Sequence, residues 1–423
     1  MLIQRKLMRM GLTLAVCGLT GCGDNADGTP PSATKLYPVI GCEAIDPAAC
    51  DVNATACQDK LLKLAACMRG SEPGELLPVT HMTPDQRAAE LEASAALEQP
   101  GPEAPHVAAT LMRLGLAEPA ALEPEAGIMR EVTNVGALYR NDSKDIVLID
   151  RPGVKPIDSN IALLHELVHA LQDRESDLTA YKRAHFDGPG DAILAADAMI
   201  EGEARFHEYV YALSLLGYDP HTVDLDTFFQ NIVTNDEPLF LDEPSPILMA
   251  PYVFPYDWGA RYVHLAWSGH QSMLELFAKP PETTHTILAS VERVMDDAFT
   301  PSDIAAPSAP DAWTALSADV VGAFGTFLAL QKLAGTEVAR ELALGWRGDR
   351  LSVYAGSQTS GDQTTTAFVW SSEFDGAAHA SQAGELLEHG LAGVTVHVSG
   401  TRVTVAAADN GADVGWASAP PAK

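Results

Sequence analysis

The segment His165-Glu166-Leu167-Val168-His169 is the part of this sequence best equipped for chemistry. Two imidazoles four residues apart project from one face of an α-helix and can each place a nitrogen on one ion. Glu166 lies beside that pair, near enough to take a proton from an activated water without ligating the ion itself. HExxH on a helix is the spacing of a zinc site that carries its own carboxylate base. The flanks are helix-competent: Ile161–Leu164 before the motif and Ala170 and Leu171 after it include no Gly or Pro. Leu164, Leu167, Val168 and Leu171 predict a largely buried helix, and buried imidazoles need a partner.

Catalytic zinc takes three protein ligands and keeps one position open. A metzincin pattern would put Gly at 172 and His at 175. Gln172 and Glu175 stand there, which excludes that class. A carboxylate from a second helix is the other solution, and Ala195–Phe206 supplies both Glu201 and Glu203. His185, in the intervening loop, is a competing ligand. Asp191 is read as the cap of the second helix.

HELVHALQD followed by EGEA resembles the HExxH…EGxA arrangement of bacterial collagenases, which are gluzincins. The resemblance makes Glu201, the Glu before Gly, the third ligand. Gly202 would then let two helices approach closely. Glu203, about 200° away at helical pitch, is left as a surface acid. Gluzincins such as thermolysin carry an acid four residues after the Glu ligand, which orients a zinc histidine. Arg205 stands at that place, so Asp197 or Asp173 is expected to do this work. The match widens over residues 135–375, through RNDSKDIVLID, FPYDWGARYV, KPPETTHTIL and GWRGDR. These are similar to a family of largely uncharacterised exported bacterial lipoproteins. That family usually has His-Pro where Ala289-Ser290 stand here. The gluzincin resemblance also implies an edge strand that pairs with substrate backbone, for which Ile146, Val147 and Leu148 are the candidates, an internal core strand being the other reading of that run. It implies an oxyanion donor as well. Tyr256 is the choice, with Tyr252, Tyr262 and His264 as alternatives.

These residues need elements to hold them. Gly136–Asp150 alternates around Asn141-Asp142-Ser143 and predicts a hairpin. Ile161–Glu175 and Ala192–Leu216 are helical by periodicity, as are Tyr262–Ala278 and Thr284–Asp297. Residues 218–250 are rich in Pro and Asp and read as irregular. Beyond a Pro-rich boundary at 299–310 come helices at Ala318–Leu333, Thr336–Leu344 and Ala377–His389. Strands are expected at Leu351–Tyr354 and Ala367–Trp370, with a hairpin of Val394–Val398 and Arg402–Ala406. Trp346 reads as a packing anchor and Asp349 as a turn or salt-bridge partner. Cys42, Cys50, Cys57 and Cys67 lie close together beside a helical stretch, Gln58–Met68. In an oxidising compartment they predict two disulfides of open pairing.

The amino terminus reads as an address. Arg5, Lys6 and Arg9 precede the apolar Gly11–Leu19, too short to span a bilayer at about 20 residues. Leu19-Thr20-Gly21-Cys22 resembles a bacterial lipobox, with Cys22 acylated. Gly23 rather than Asp follows it, which favours the outer membrane. The whole chain of 423 residues carries a net charge of −30. Removing a leader with three basic and no acidic residues leaves −33. No basic excess is present to neutralise phosphates, which argues against nucleic acid, and no nucleotide signature is present.

The expected organisation is a signal peptide (1–21), tether (22–36), disulfide-stapled helical cap (37–70), and a helix with Pro-rich linker (71–105). A catalytic domain (106–298), linker (299–310), carboxy-terminal α+β region (311–408) and tail (409–423) follow. The fold class is α+β: a gluzincin-like small mixed sheet with a zinc helix and a helical half. The expected function is hydrolysis of peptide or protein substrate by one Zn²⁺ per chain, in an exported lipoprotein held to the membrane through Cys22. The rival readings are a non-catalytic binding lipoprotein on the same scaffold, and a zinc hydrolase of a non-peptide amide.

Overall fold

The computed structural model describes residues 39–97, 100–269, 271–295, 299–360, 363–409 and 412–418. The leader, the tether and the lipidation candidate Cys22 lie outside the described residues. The chain adopts a mixed α+β fold, and both disulfides form: Cys42–Cys67 and Cys50–Cys57. They staple helix α1 (Thr55–Arg69), which ends on Gly70 in the left-handed conformation at φ 70°. No helix among the described residues is long and apolar enough to cross a membrane.

Strand β1 (Val79–Met82) and helices α2 (Pro84–Ala95), α3 (Ala104–Arg113) and α4 (Pro124–Asn134) follow. The expected hairpin is β2 (Ala137–Arg140) and β3 (Asp145–Ile149), with Lys144 at φ 56° in its turn. The sheet order β1-β3-β2 puts β3 in the middle, parallel to β1 and antiparallel to β2. The expectation of an edge strand at Ile146, Val147 and Leu148 is therefore wrong. Both edges of β3 are paired and all three side chains are buried. An unbroken apolar run is the pattern of a strand covered on both faces, which is how Ile146–Ile149 sits here.

Helix α5 (Pro156–Ser176) starts with Pro in its first turn and with Asp158 accepting a bond from the Lys155 N–H. It buries Leu163, Leu164, Leu167, Val168 and Leu171. Asp177, at φ 47°, ends it and caps α6 (Leu178–His185) through the Ala180 N–H. Helix α7 (Gly190–Leu215) is buried along most of its length. Residues 218–250 are less irregular than expected. Asp224 caps α8 (Leu225–Asp236), whose Leu225, Phe228, Phe229, Ile232 and Val233 follow the i, i+3, i+4 rhythm of a packed face. After α9 (Pro246–Val253) comes a single π-helical turn, Phe254–Trp258, then α10 (Gly259–Ser268), α11 (Met273–Ala278) and α12 (Thr284–Ala289).

The rest of the chain is β4 (Trp313–Asp319), α13 (Gly322–Ala334), α14 (Thr336–Leu344), β5 (Trp346–Ser360), β6 (Gln363–Phe374), α15 (Ala377–Gly390), β7 (Thr395–Ser399) and β8 (Arg402–Ala408). These strands form one antiparallel sheet in the order β4-β5-β6-β8-β7. One buried apolar cluster runs from Leu61 in the cap through Leu163, Tyr211 and Phe254 to Trp346, Trp370 and Val405. The two halves thus share a core across the Pro-rich stretch at 299–310.

Candidate metal centre

Helices α5 and α7 bring three ligand-type groups together. His165 Nε2 lies 3.0 Å from His169 Nε2 and 3.2 Å from Glu201 Oε2, and His169 Nε2 lies 3.3 Å from the same oxygen. His165, His169 and Glu201 could hold a metal ion. Glu166 is buried beside them, next to the Tyr139 backbone of β2.

Each imidazole is fixed through its far nitrogen. His165 Nδ1 lies 3.0 Å from Glu208 Oε2, and Arg205 holds the other oxygen of that carboxylate at 2.5 Å. His169 Nδ1 lies 2.9 Å from Gln172 Oε1. The Gln172 amide nitrogen donates to the Ile200 carbonyl at 2.9 Å and to Glu203 at 2.8 Å, so its oxygen is the atom that faces the ring. A ring nitrogen that donates leaves its partner nitrogen with a free lone pair. In the neutral rings that a metal would need, both lone pairs would point at the space beside Glu201.

Several expectations are corrected here. The acid that orients a ring is neither Asp197 nor Asp173 but Glu208, seven residues past Glu201. Arg205, the departure from the thermolysin pattern, is its holder and also binds Asp257 and Tyr209. Asp173 instead accepts from the Tyr139 hydroxyl at 2.6 Å and pairs with Lys144. Glu203 is not a surface acid. It is fully buried against Arg69 of the cap, which reaches it at 2.8 and 3.1 Å. A two-residue step from Glu201 points away from the metal, but on a helix packed on several sides that direction is also interior. Asp191 is not the helix cap, since Pro189 occupies that place; its carboxylate binds Thr284. Asp349 accepts from the Val321 and Gly322 N–H groups and from Trp346 Nε1. His185 lies at the end of α6 against Tyr181, outside the ligand group.

Tyr256 reaches the centre. Its ring stacks on His165 with centroids 5.9 Å apart, near enough to Glu201 for that carboxylate's charge to act on the phenol. Among the alternatives, the Tyr252 hydroxyl donates to Glu131 at 3.1 Å, Tyr262 is buried, and His264 stacks on Phe229 within the core. Tyr256 gets there because α7 and α10 touch at two glycines. A Cβ on Gly202 would lie 2.7 Å from Gly259 Cα, and one on Gly259 would lie 2.9 Å from Gly202 Cα. No side chain fits at either place, and the π turn that follows α9 is thereby held over Glu201.

Electrostatics at the centre are those of a packed cationic–anionic cluster. Burial disfavours charge on His165, but hydrogen bonds to Glu201 and Glu208 outweigh it and push its pKa up to about 10. His169 is raised against burial chiefly by the Glu201 charge. Burial would raise Glu201, yet the two imidazoles hold it well below the usual carboxylate range. Burial lifts Glu166 above its ordinary value, partly offset by His165 and His169. Burial and then the charges of Glu201, Asp197 and Glu166 keep the Tyr256 phenol protonated, and so a donor.

A model for a domain of unknown function (DUF8575) matches residues 313–420, which begin at β4 and take in the five-stranded sheet. The metal centre lies outside that match. No curated protein and no solved structure matches the chain.

Proposed function

We propose that this chain is a zinc-dependent peptidase of the gluzincin type, working at the cell envelope. The observation that carries the reading is the convergence of two imidazole nitrogens and a carboxylate oxygen at 3.0–3.3 Å from one another. Ligand atoms at about 2.0 Å from a tetrahedral zinc stand roughly 3.3 Å apart. The donor set, two neutral imidazoles and one carboxylate, also suits that metal. When bound, zinc supplies Lewis acidity, which activates a water and polarises a carbonyl.

The chain's own groups divide the remaining work. Glu166, its carboxyl raised by burial, takes the proton of the attacking water and hands it to the leaving amine. The Tyr256 hydroxyl donates to the oxygen on which negative charge develops. Glu208 and Gln172 keep the two rings in place. The sheet edge next to Glu166 belongs to β2 rather than β3, and an extended substrate adds there by backbone pairing. Two disulfides suit an oxidising compartment. The leader sequence supports export and a lipid on Cys22.

The test is cleavage of a peptide library by the purified protein, alone, with a chelator, and as Glu166→Gln. The account predicts zinc-restorable cleavage, lowered about 10²–10⁴-fold by Glu166→Gln. Equal cleavage by the variant would remove Glu166 from the chemistry. Cleavage of non-peptide amides alone would move the reading to the amide hydrolase.

A further inference from the structure

The two rings are oriented by different means. Behind His165 stands a carboxylate, Glu208, with Arg205 behind it. Behind His169 stands a neutral amide, Gln172, and an amide can face either way. Turned over, it would present its NH₂ group to His169. The ring would then have to accept at Nδ1 and carry its proton on Nε2, where no metal could bind. Something must decide which end faces the ring.

Glu203 decides it. Glu203 Oε2 accepts from the Gln172 amide nitrogen at 2.8 Å. Turning the amide over would set two oxygens against each other in a fully buried site. Arg69 donates to both oxygens of Glu203, at 2.8 and 3.1 Å, and so holds Oε2 facing the amide as an acceptor. Arg69 is the last residue of α1, two positions after Cys67 of the Cys42–Cys67 disulfide. Its third bond, at 2.8 Å, goes to Glu175 at the end of α5.

We infer that Arg69, Glu203 and Gln172 form a positioning relay through which the disulfide-stapled cap sets the tautomer of His169, and with it the affinity of the centre for metal. The inference rests on the metal reading proposed above. All three side chains are buried, and Gln172 is the one that meets a ligand residue, at His169 Nδ1.

The experiment measures zinc affinity by competition with a chromophoric chelator, and thermal stability without metal, for the full chain and three variants. Glu203→Gln and Gln172→Met each break the relay. Glu175→Gln removes the other Arg69 ion pair and leaves the relay intact. The relay predicts that the first two bind zinc about 10–100-fold more weakly. It predicts that Glu175→Gln keeps affinity near the wild-type value, whatever its melting temperature does. Should Glu203→Gln fail to fold, Gln172→Met alone carries the test, because it leaves the Arg69–Glu203 pair in place. Unchanged affinity in Gln172→Met would overturn the relay. So would an equal loss in Glu175→Gln, which would make the cap a general support. A wild-type chain that takes up no zinc would overturn the metal reading itself, an outcome distinct from either.

Discussion

His165 and His169 present one nitrogen each to the centre because their other nitrogens are occupied by Glu208 and Gln172. The ligands themselves were legible, since i, i+4 spacing on a helix is a local property. Glu208, Gln172 and Glu203 were not, because their roles depend on which face of α7 meets α5, and local spacing does not report that. Tyr256 was reachable only as one of four candidates, and the fold brings it to Glu201 while Tyr252, Tyr262 and His264 lie elsewhere. If Tyr256 donates to the developing oxyanion, Tyr256→Phe removes one hydrogen bond and keeps the stacked ring. The expected loss is about 10²–10³-fold in kcat with KM little altered. Steady-state kinetics on any cleaved peptide decides it: an unchanged kcat excludes Tyr256 from the chemistry.

Among the elements, the crossing of α7 and α10 has the tightest requirement. Gly202 was expected to permit a close helix approach. Its partner Gly259 went unnoticed, because nothing in the sequence pairs residues 57 positions apart. Gly259→Ala would place a methyl against the Ala198 carbonyl and Gly202 Cα. Overpacking of this kind costs about 1–3 kcal/mol. It would also lift the π turn, and Tyr256 with it, off Glu201. The account predicts a lower melting temperature together with a loss of kcat at least as large as that of Tyr256→Phe, while zinc content stays the same. Full activity in Gly259→Ala would show that the helix approach is not what positions Tyr256. The hairpin and the long helices were legible from period alone, and α8 was missed because its Pro- and Asp-rich flanks masked a regular apolar face. The central placement of β3 required knowing that β1, more than 60 residues earlier, pairs with it.

At the scale of the whole molecule, the metal half and the carboxy-terminal region meet at Asp191 and Thr284: the Asp191 N–H donates to the Val320 carbonyl at 3.3 Å, and the Thr284 hydroxyl accepts from the Phe324 N–H at 3.0 Å. Asp191 of α7 binds Thr284, while Asp349 of β5 caps the start of α13. Gly322, at φ 78°, lies so close to Asp191 that a side chain there would strike it. Burial, opposed by the Thr284 hydrogen bond and reinforced by Asp349, raises Asp191 from 3.8 to about 7. The folded chain therefore keeps a proton that the unfolded chain releases near pH 3.8. This contribution to stability is complete below that pH and is lost as pH rises toward 7. Asp191→Asn should flatten the fall in melting temperature between about pH 4 and 7; an unchanged slope would assign the pH dependence to other groups. Composition told of a folded, acidic protein, but the shared core across 299–310 was hidden by a Pro-rich stretch that reads as a boundary. Everything proposed for this molecule depends on whether its centre holds metal. The most direct measurement is the zinc content of the purified wild type, Glu166→Ala and His169→Ala after incubation with zinc at neutral pH. The account predicts one zinc per chain in the wild type and in Glu166→Ala, and none in His169→Ala. Zinc absent from the wild type, or retained in His169→Ala, would contradict it.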